Sequence, residues 1–98
     1  MLISKNKGVS PGDIVGFRIT TGDEIVAKIV EINDKGFVLS KPCMVIPSER
    51  GIGLMQYLIS ADINNNVTLK NEHIIMHSPI IPDIERHYIR TTSGITLV

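Results

Sequence analysis

Apolar and polar residues alternate along Ile14 to Thr20. Val15, Phe17 and Ile19 fall on one side, and Gly16, Arg18 and Thr20 on the other. A period of two places one side against a core and predicts a strand. Thr21-Gly22-Asp23 reads as a tight turn, and Glu24 to Asn33 as a second strand. In this second strand Ile25, Ala27 and Ile29 share a face, but Glu31 interrupts it and Val30 and Ile32 carry the apolar character to the other. A flat half-buried strand does not switch in this way, whereas a long strand bending around a small barrel does. Asn33-Asp34-Lys35-Gly36 has the chemistry of a hairpin turn, with Gly36 available for positive φ. Phe37 to Lys41 is the third strand. Pro42 has no N–H for a ladder and marks a bulge or an edge, after which Cys43 to Ile46 continue the strand. Pro47 to Gly53 reads as a loop, Leu54 to Ser60 as the fourth strand and Ala61 to Asn66 as a wider connection. Val67 to Leu69 is a short strand and Lys70-Asn71 a turn. His73 to His77 is the last strong strand; Ile74, Ile75 and Met76 make it apolar on both faces, which calls for cover on both sides.

Beyond Pro79 and Pro82 the period changes. Ile81, Ile84 and Tyr88 stand at i, i+3 and i+7, one face of a helix over residues 83–92. Pro82 and Asp83 suit its first turn, Arg90 its last, and Gly94 its stop. Residues 1–12 read as a flexible arm closed by the Ser10-Pro11-Gly12-Asp13 turn, and 13–98 as one domain. The predicted fold is mainly all-β: a small, strongly bent, five-stranded antiparallel SH3-like barrel with one short C-terminal helix.

Composition strengthens the strand reading. The chain has 17 Ile and 8 Val against 6 Leu and 2 Ala, and β-branched residues favour strands. Its 98 residues suit one domain, and 43% hydrophobic content excludes a disordered chain. Lys+Arg and Asp+Glu are 10 each, so the net charge is zero. That argues against a general nucleic-acid binder, which carries a basic excess. A surplus of aliphatic surface with no net charge to keep chains apart favours self-association. No apolar run reaches the roughly 20 residues of a membrane-spanning helix, and residues 1–7 lack the apolar core of a signal peptide. The single cysteine, Cys43, has no internal disulfide partner, which fits a reducing, cytoplasmic setting.

Within this pattern, residues 13–46 resemble the first motif of the Sm/LSm family: an amphipathic strand, a Gly-containing turn, a long bent strand with a small residue, and a hairpin into a strand ending in Leu. Phe17, Ile19, Gly22, Ile25, Ala27, Ile29 and Leu39 carry the match. Asn71-Glu72-His73-Ile74-Ile75-Met76 resembles the second motif, and His73 is similar to the His found there in the bacterial RNA-chaperone branch. The chain is also similar to a divergent Sm-like group of marine phages. It departs from the family in three ways. Asn33-Asp34-Lys35-Gly36 replaces the Asp and Met-Asn of the uridine-binding loop, Lys70-Asn71 lies where the eukaryotic motif has Arg-Gly, and the convincing helix comes last instead of first. The resemblance implies a non-enzymatic homo-oligomeric ring, a pentamer to heptamer, in the cytoplasm of the host cell for a phage protein. In such a ring the fourth strand of one subunit pairs with the fifth of the next, and single-stranded RNA binds around the pore.

Two loops carry the candidate RNA site. In the hairpin, Asn33 offers a base-edge partner, Lys35 a phosphate contact and Phe37 a stacking surface. In the second segment Lys70, Asn71 and His73 offer phosphate and base-edge partners. Tyr57, Ile59, Ile74, Ile75 and Met76 are the candidate oligomer interface. Each site also reads as plain structure, the loops as turns and Phe37 as core. A ring concentrates a few basic loop residues at one pore, so zero net charge confines RNA binding to such a site. No cofactor or metal is expected: His73 and His77 lie roughly 13 Å apart on a strand, too far to share one ion. Ser48 to Gly53 reads as a connection, Cys43 as an inert buried thiol, and no catalytic motif stands out. The alternatives are a phage structural or protein-interaction ring with no nucleic-acid role, and a monomeric SH3-like or PRC-barrel-like module.

Overall fold

The computed structural model describes residues 8–94. Six strands form one antiparallel sheet: β1 (Ile14–Ile19), β2 (Glu24–Asn33), β3 (Gly36–Ser48), β4 (Gly51–Gln56), β5 (Val67–Lys70) and β6 (Ile74–Pro79). The order across the sheet is β4-β3-β2-β1-β6, and β5 pairs with the first part of β3. A short 3-10 turn (Asn71–His73) precedes β6, and one helix, α1 (Pro82–Gly94), follows it. The fold is therefore the mainly β, bent antiparallel arrangement that the sequence predicts, with one C-terminal helix.

Three bulges bend the sheet. Along β2, Ile29 pairs with Leu39 and Glu31 with Val38, so Val30 is an extra residue. This is the physical basis of the face switch in the sequence. The bulge turns Ile32 back to the side already held by Ile25, Ala27 and Ile29, where it packs on the inner core. Along β3, Val26 pairs with Cys43 and Lys28 with Ser40, leaving Lys41 and Pro42 opposite Ala27. Lys41 takes a φ of 50° there. Pro42 thus sits in a bulge within one continuous strand. Along β6, Ile75 is the extra residue, since Ile19 pairs with Ile74 and Arg18 with Met76.

Each face of the sheet buries a cluster. The inner one joins Val15, Phe17, Ile19, Ile25, Ala27, Ile29, Phe37 and Leu39, and it includes Val9. Phe17 and Phe37 meet edge to face at 5.2 Å, and the His77 ring lies 5.3 Å from Phe37. The outer cluster is Val26, Cys43 and Tyr88, flanked by Ile14, Val45, Leu54, Ile80 and Ile84. Its cover is α1. The helix starts at Pro82, with the Ile81 carbonyl accepting from Glu85 N at 3.1 Å and Asp83 and Glu85 in the first turn. The Tyr88 hydroxyl donates to the carbonyls of Ser40 and Lys41, both at 2.9 Å, so the helix pins the β3 bulge.

Some boundaries differ from the sequence reading. The expected loop over Pro47 to Gly53 is a hairpin turned by Glu49 and Arg50 alone. The fourth strand starts at Gly51 and ends at Gln56, not Ser60, because the Gln56 amide donates to the carbonyls of Leu58 and Ala61 and folds the chain away. His73 lies in the 3-10 turn, and the last strand runs to Pro79. The helix extends to Gly94, so Arg90 is not in its last turn. Of the expected N-terminal arm, residues 1–7 lie outside the described residues. Val9 is buried, and Gly12 N donates to the Ile29 carbonyl at 2.7 Å.

Candidate nucleic-acid interface

The two loops singled out in the sequence meet. The hairpin between β2 and β3 closes on the pair Asn33–Gly36, and Gly36 in turn pairs with Lys70 of β5. From the 3-10 turn, Asn71 N donates to the Lys35 carbonyl at 2.9 Å, and the Asn71 side-chain amide donates to the Asp34 carbonyl at 3.1 Å. Residues 34–35 and 70–73 therefore form one surface. This approach explains Gly36. A Cβ at that position would lie 2.1 Å from the Leu69 carbonyl oxygen, so β5 can draw close only to a glycine.

Two depressions flank Lys70. One is lined by Asp34, Lys35, Lys70, Asn71 and Glu72. The other is lined by Ile19, Thr20, Thr21, Thr68, Leu69, Lys70 and His73. Their electrostatics differ. The first sets two ammonium groups beside two carboxylates, whereas the second has a lysine, a histidine and three hydroxyls with no carboxylate in its lining. Of those hydroxyls, Thr21 donates to Asp23 at 2.9 Å. Thr20 Oγ1 lies 3.2 Å from His73 Nδ1, and Thr20 N donates to the His73 carbonyl. The carboxylate of Glu72 is 3.7 Å from His73 Nε2.

The six predicted RNA contacts fare unequally. Lys35, Lys70, Asn71 and His73 are exposed on the shared surface. Asn33 is consumed by its own turn: its Oδ1 accepts from Lys35 N and Gly36 N, and its Nδ2 donates to Glu31. Phe37 is 2% exposed, packed on Phe17 and His77. It is core, and it offers no face to a base. The sequence missed Thr20 and Thr68. The signal for Thr20 was its place at the end of β1, but nothing local ties it to a residue 53 positions away.

The predicted interface also divides. Ile59, Ile75 and Met76 are exposed, the last two at 56% and 62%. Tyr57 and Ile74 instead pack against the inner core, and the Tyr57 hydroxyl donates to Asp23 at 3.1 Å. The His77 ring packs against both Phe17 and Phe37, with centroids 6.0 and 5.3 Å away, whereas His73 lies on the exposed surface beside Thr20. Among the described residues no three His, Cys, Asp or Glu side chains cluster as metal ligands do, and no helix is long and apolar enough to cross a membrane. No protein-family model matches the chain, and no curated protein matches it.

Proposed function

We propose that the protein is a non-enzymatic, Sm-like ring subunit that binds single-stranded RNA at the surface formed by residues 34–35 and 70–73. One observation carries this reading: the two loops to which the family resemblance assigns RNA are hydrogen-bonded to each other. The sheet adds support for assembly. Among the described residues its end strands β4 and β6 each have one strand partner, and open edges that carry apolar residues invite a further strand. In the ring, β4 of one subunit pairs with β6 of the next, and the loop pairs line a common pore. Lys35 and Lys70 meet phosphates, Thr20 and Thr68 offer hydroxyl donors beside Lys70, and Asn71 and His73 face the bases.

Light scattering on a sizing column tests assembly, with a pentamer to heptamer expected and a clean monomer at micromolar concentration contradicting it. Labelled oligo-U and oligo-A then test the site. Affinity should fall with salt, and Lys70→Ala should reduce the slope of log K against log salt by about 0.7 for each subunit whose lysine meets a phosphate. The same substitution leaving both affinity and slope unchanged would refute the site.

A protein-binding ring is the second reading, and the loop chemistry favours it at one point. Asp34 and Glu72 stand beside Lys35 and Lys70, and Phe37 is withdrawn from the surface. A ring that assembles yet ignores both oligonucleotides at low salt would select this reading.

A further inference from the structure

Among the described residues β4 ends the sheet, so half of its backbone groups face away from β3. Tyr57 N donates to the Pro42 carbonyl at 2.9 Å, which makes Pro42 and Tyr57 a bonded pair. Bonded and non-bonded pairs alternate along an antiparallel ladder. Following the register, Met44–Met55, Ile46–Gly53 and Ser48–Gly51 are bonded, whereas Val45–Leu54 and Pro47–Ile52 are not. Pro47 agrees with this parity, since at a non-bonded position it removes no ladder donor. The N–H and C=O of Ile52 and Leu54 therefore point toward the open edge.

The Ile52 carbonyl is already engaged there. His87 Nε2, on α1, lies 3.1 Å from it. A carbonyl only accepts, so Nε2 carries a proton and donates. Thr91 Oγ1, one turn further along α1, lies 3.5 Å from Nδ1 on the far side of the ring. A strand added to β4 would bring its own amide nitrogen to about 2.9 Å from the outward carbonyl oxygens. The imidazole nitrogen of His87 is bound to the same oxygen that such an amide would use.

We infer that α1 is a latch on the edge of β4: docked His87 and the incoming strand of a second copy compete for Ile52, so subunits pair along β4 only when His87 yields. This rests on the ring reading and names how its assembly is controlled. The latch can open without loss of the helix. Tyr88 and Ile84 hold α1 to the outer cluster, while His87 is half-buried at its margin. Opening costs one side-chain hydrogen bond and leaves the helix anchors in place.

Sedimentation equilibrium over a range of concentrations tests this, on wild type, His87→Ala and Thr91→Ala, with thermal melts to confirm folding. Removing the latch should tighten association by about threefold to tenfold for His87→Ala, the worth of one hydrogen bond. Thr91→Ala removes the hydroxyl beside Nδ1, together with a methyl group, leaves the His87–Ile52 bond itself in place, and should tighten association less. It keeps the test alive if His87→Ala fails to fold. Folded variants that associate no better than an oligomeric wild type would overturn the latch and leave the ring standing. Monomers throughout, in wild type and variants alike, would overturn both.

Discussion

Gly36 decides whether the two loops can share a surface. Its φ of 159° lies where side chains are rarely tolerated, and a methyl group there would meet the Leu69 carbonyl at 2.1 Å. The obstacle is backbone on both sides, so relief requires β5 to move away from β3. Gly36→Ala should therefore destabilise the protein by about 2–4 kcal/mol, the range of steric and special-backbone substitutions. Urea unfolding measures this. Because the shift would pull Lys70 and Asn71 from Lys35, the variant should also lose oligonucleotide affinity under conditions where it remains folded. A loss of less than about 1 kcal/mol would show that β5 accommodates the methyl group. Phe37, one residue on, shows how sequence can mislead at this scale. An aromatic beside a lysine-bearing hairpin suits base stacking and core packing equally well. The deciding fact is the partner: Phe17 and His77 come from strands far away in sequence, and together they enclose it.

Elements were legible where one strand's own pattern determined them, and illegible where a distant group did. The alternation in β1 and the apolar switch in β2 were visible, and the switch correctly marked a bend. Its cause, one extra residue at Val30, depends on the register with β3. Pro42 likewise announced a break in the ladder. Nothing nearby showed that Tyr88, some 47 residues later, would close that bulge by donating to Ser40 and Lys41. The pairing of helix and bulge makes a pH prediction. Burial raises the Tyr88 phenol above its ordinary value of 10.0, and the nearby Cys43 adds to the shift. Burial also raises the Cys43 thiol above 9.0. Both groups hold their protons more tightly in the folded state than in the unfolded one. Unfolding therefore releases protons at alkaline pH, and stability falls as pH rises. The stabilisation is complete below about pH 9 and declines above it. Tyr88→Phe should cost about 1–2 kcal/mol at pH 7, through the lost hydroxyl and two carbonyls left without it. It should also flatten the alkaline decline, leaving the part due to Cys43. Denaturant titrations from pH 7 to pH 11 check both outcomes.

At the scale of the whole molecule, the aliphatic surplus of the sequence divides into three uses. The inner cluster and the surface beneath α1 take the first two shares. The third stays exposed, and on β6 it is concentrated at Ile75 and Met76, exposed by 56% and 62%. The sequence foresaw apolar residues on both faces of this strand. It did not foresee that Ile74 turns inward while the bulge at Ile75 presents two consecutive apolar side chains outward. Two large, mostly exposed side chains add little to the stability of a lone chain, and among the described residues they stand on a strand with an open edge. A joint substitution, Ile75→Lys with Met76→Lys, separates self-assembly from folding. Charge on an edge strand repels an added strand, and neither position contributes to the inner core. The variant should fold with a melting temperature within a few degrees of the monomeric baseline, since exposed sites change stability by about 0.5 kcal/mol or less. Light scattering should show a monomer. Oligonucleotide binding should fall despite the two added positive charges, because a ring engages one strand at several identical loop pairs and a monomer at only one. Two lysines on a surface that does not assemble would do the opposite and strengthen binding to a polyanion. The direction of that change therefore distinguishes a ring whose loops act together from a subunit that binds alone.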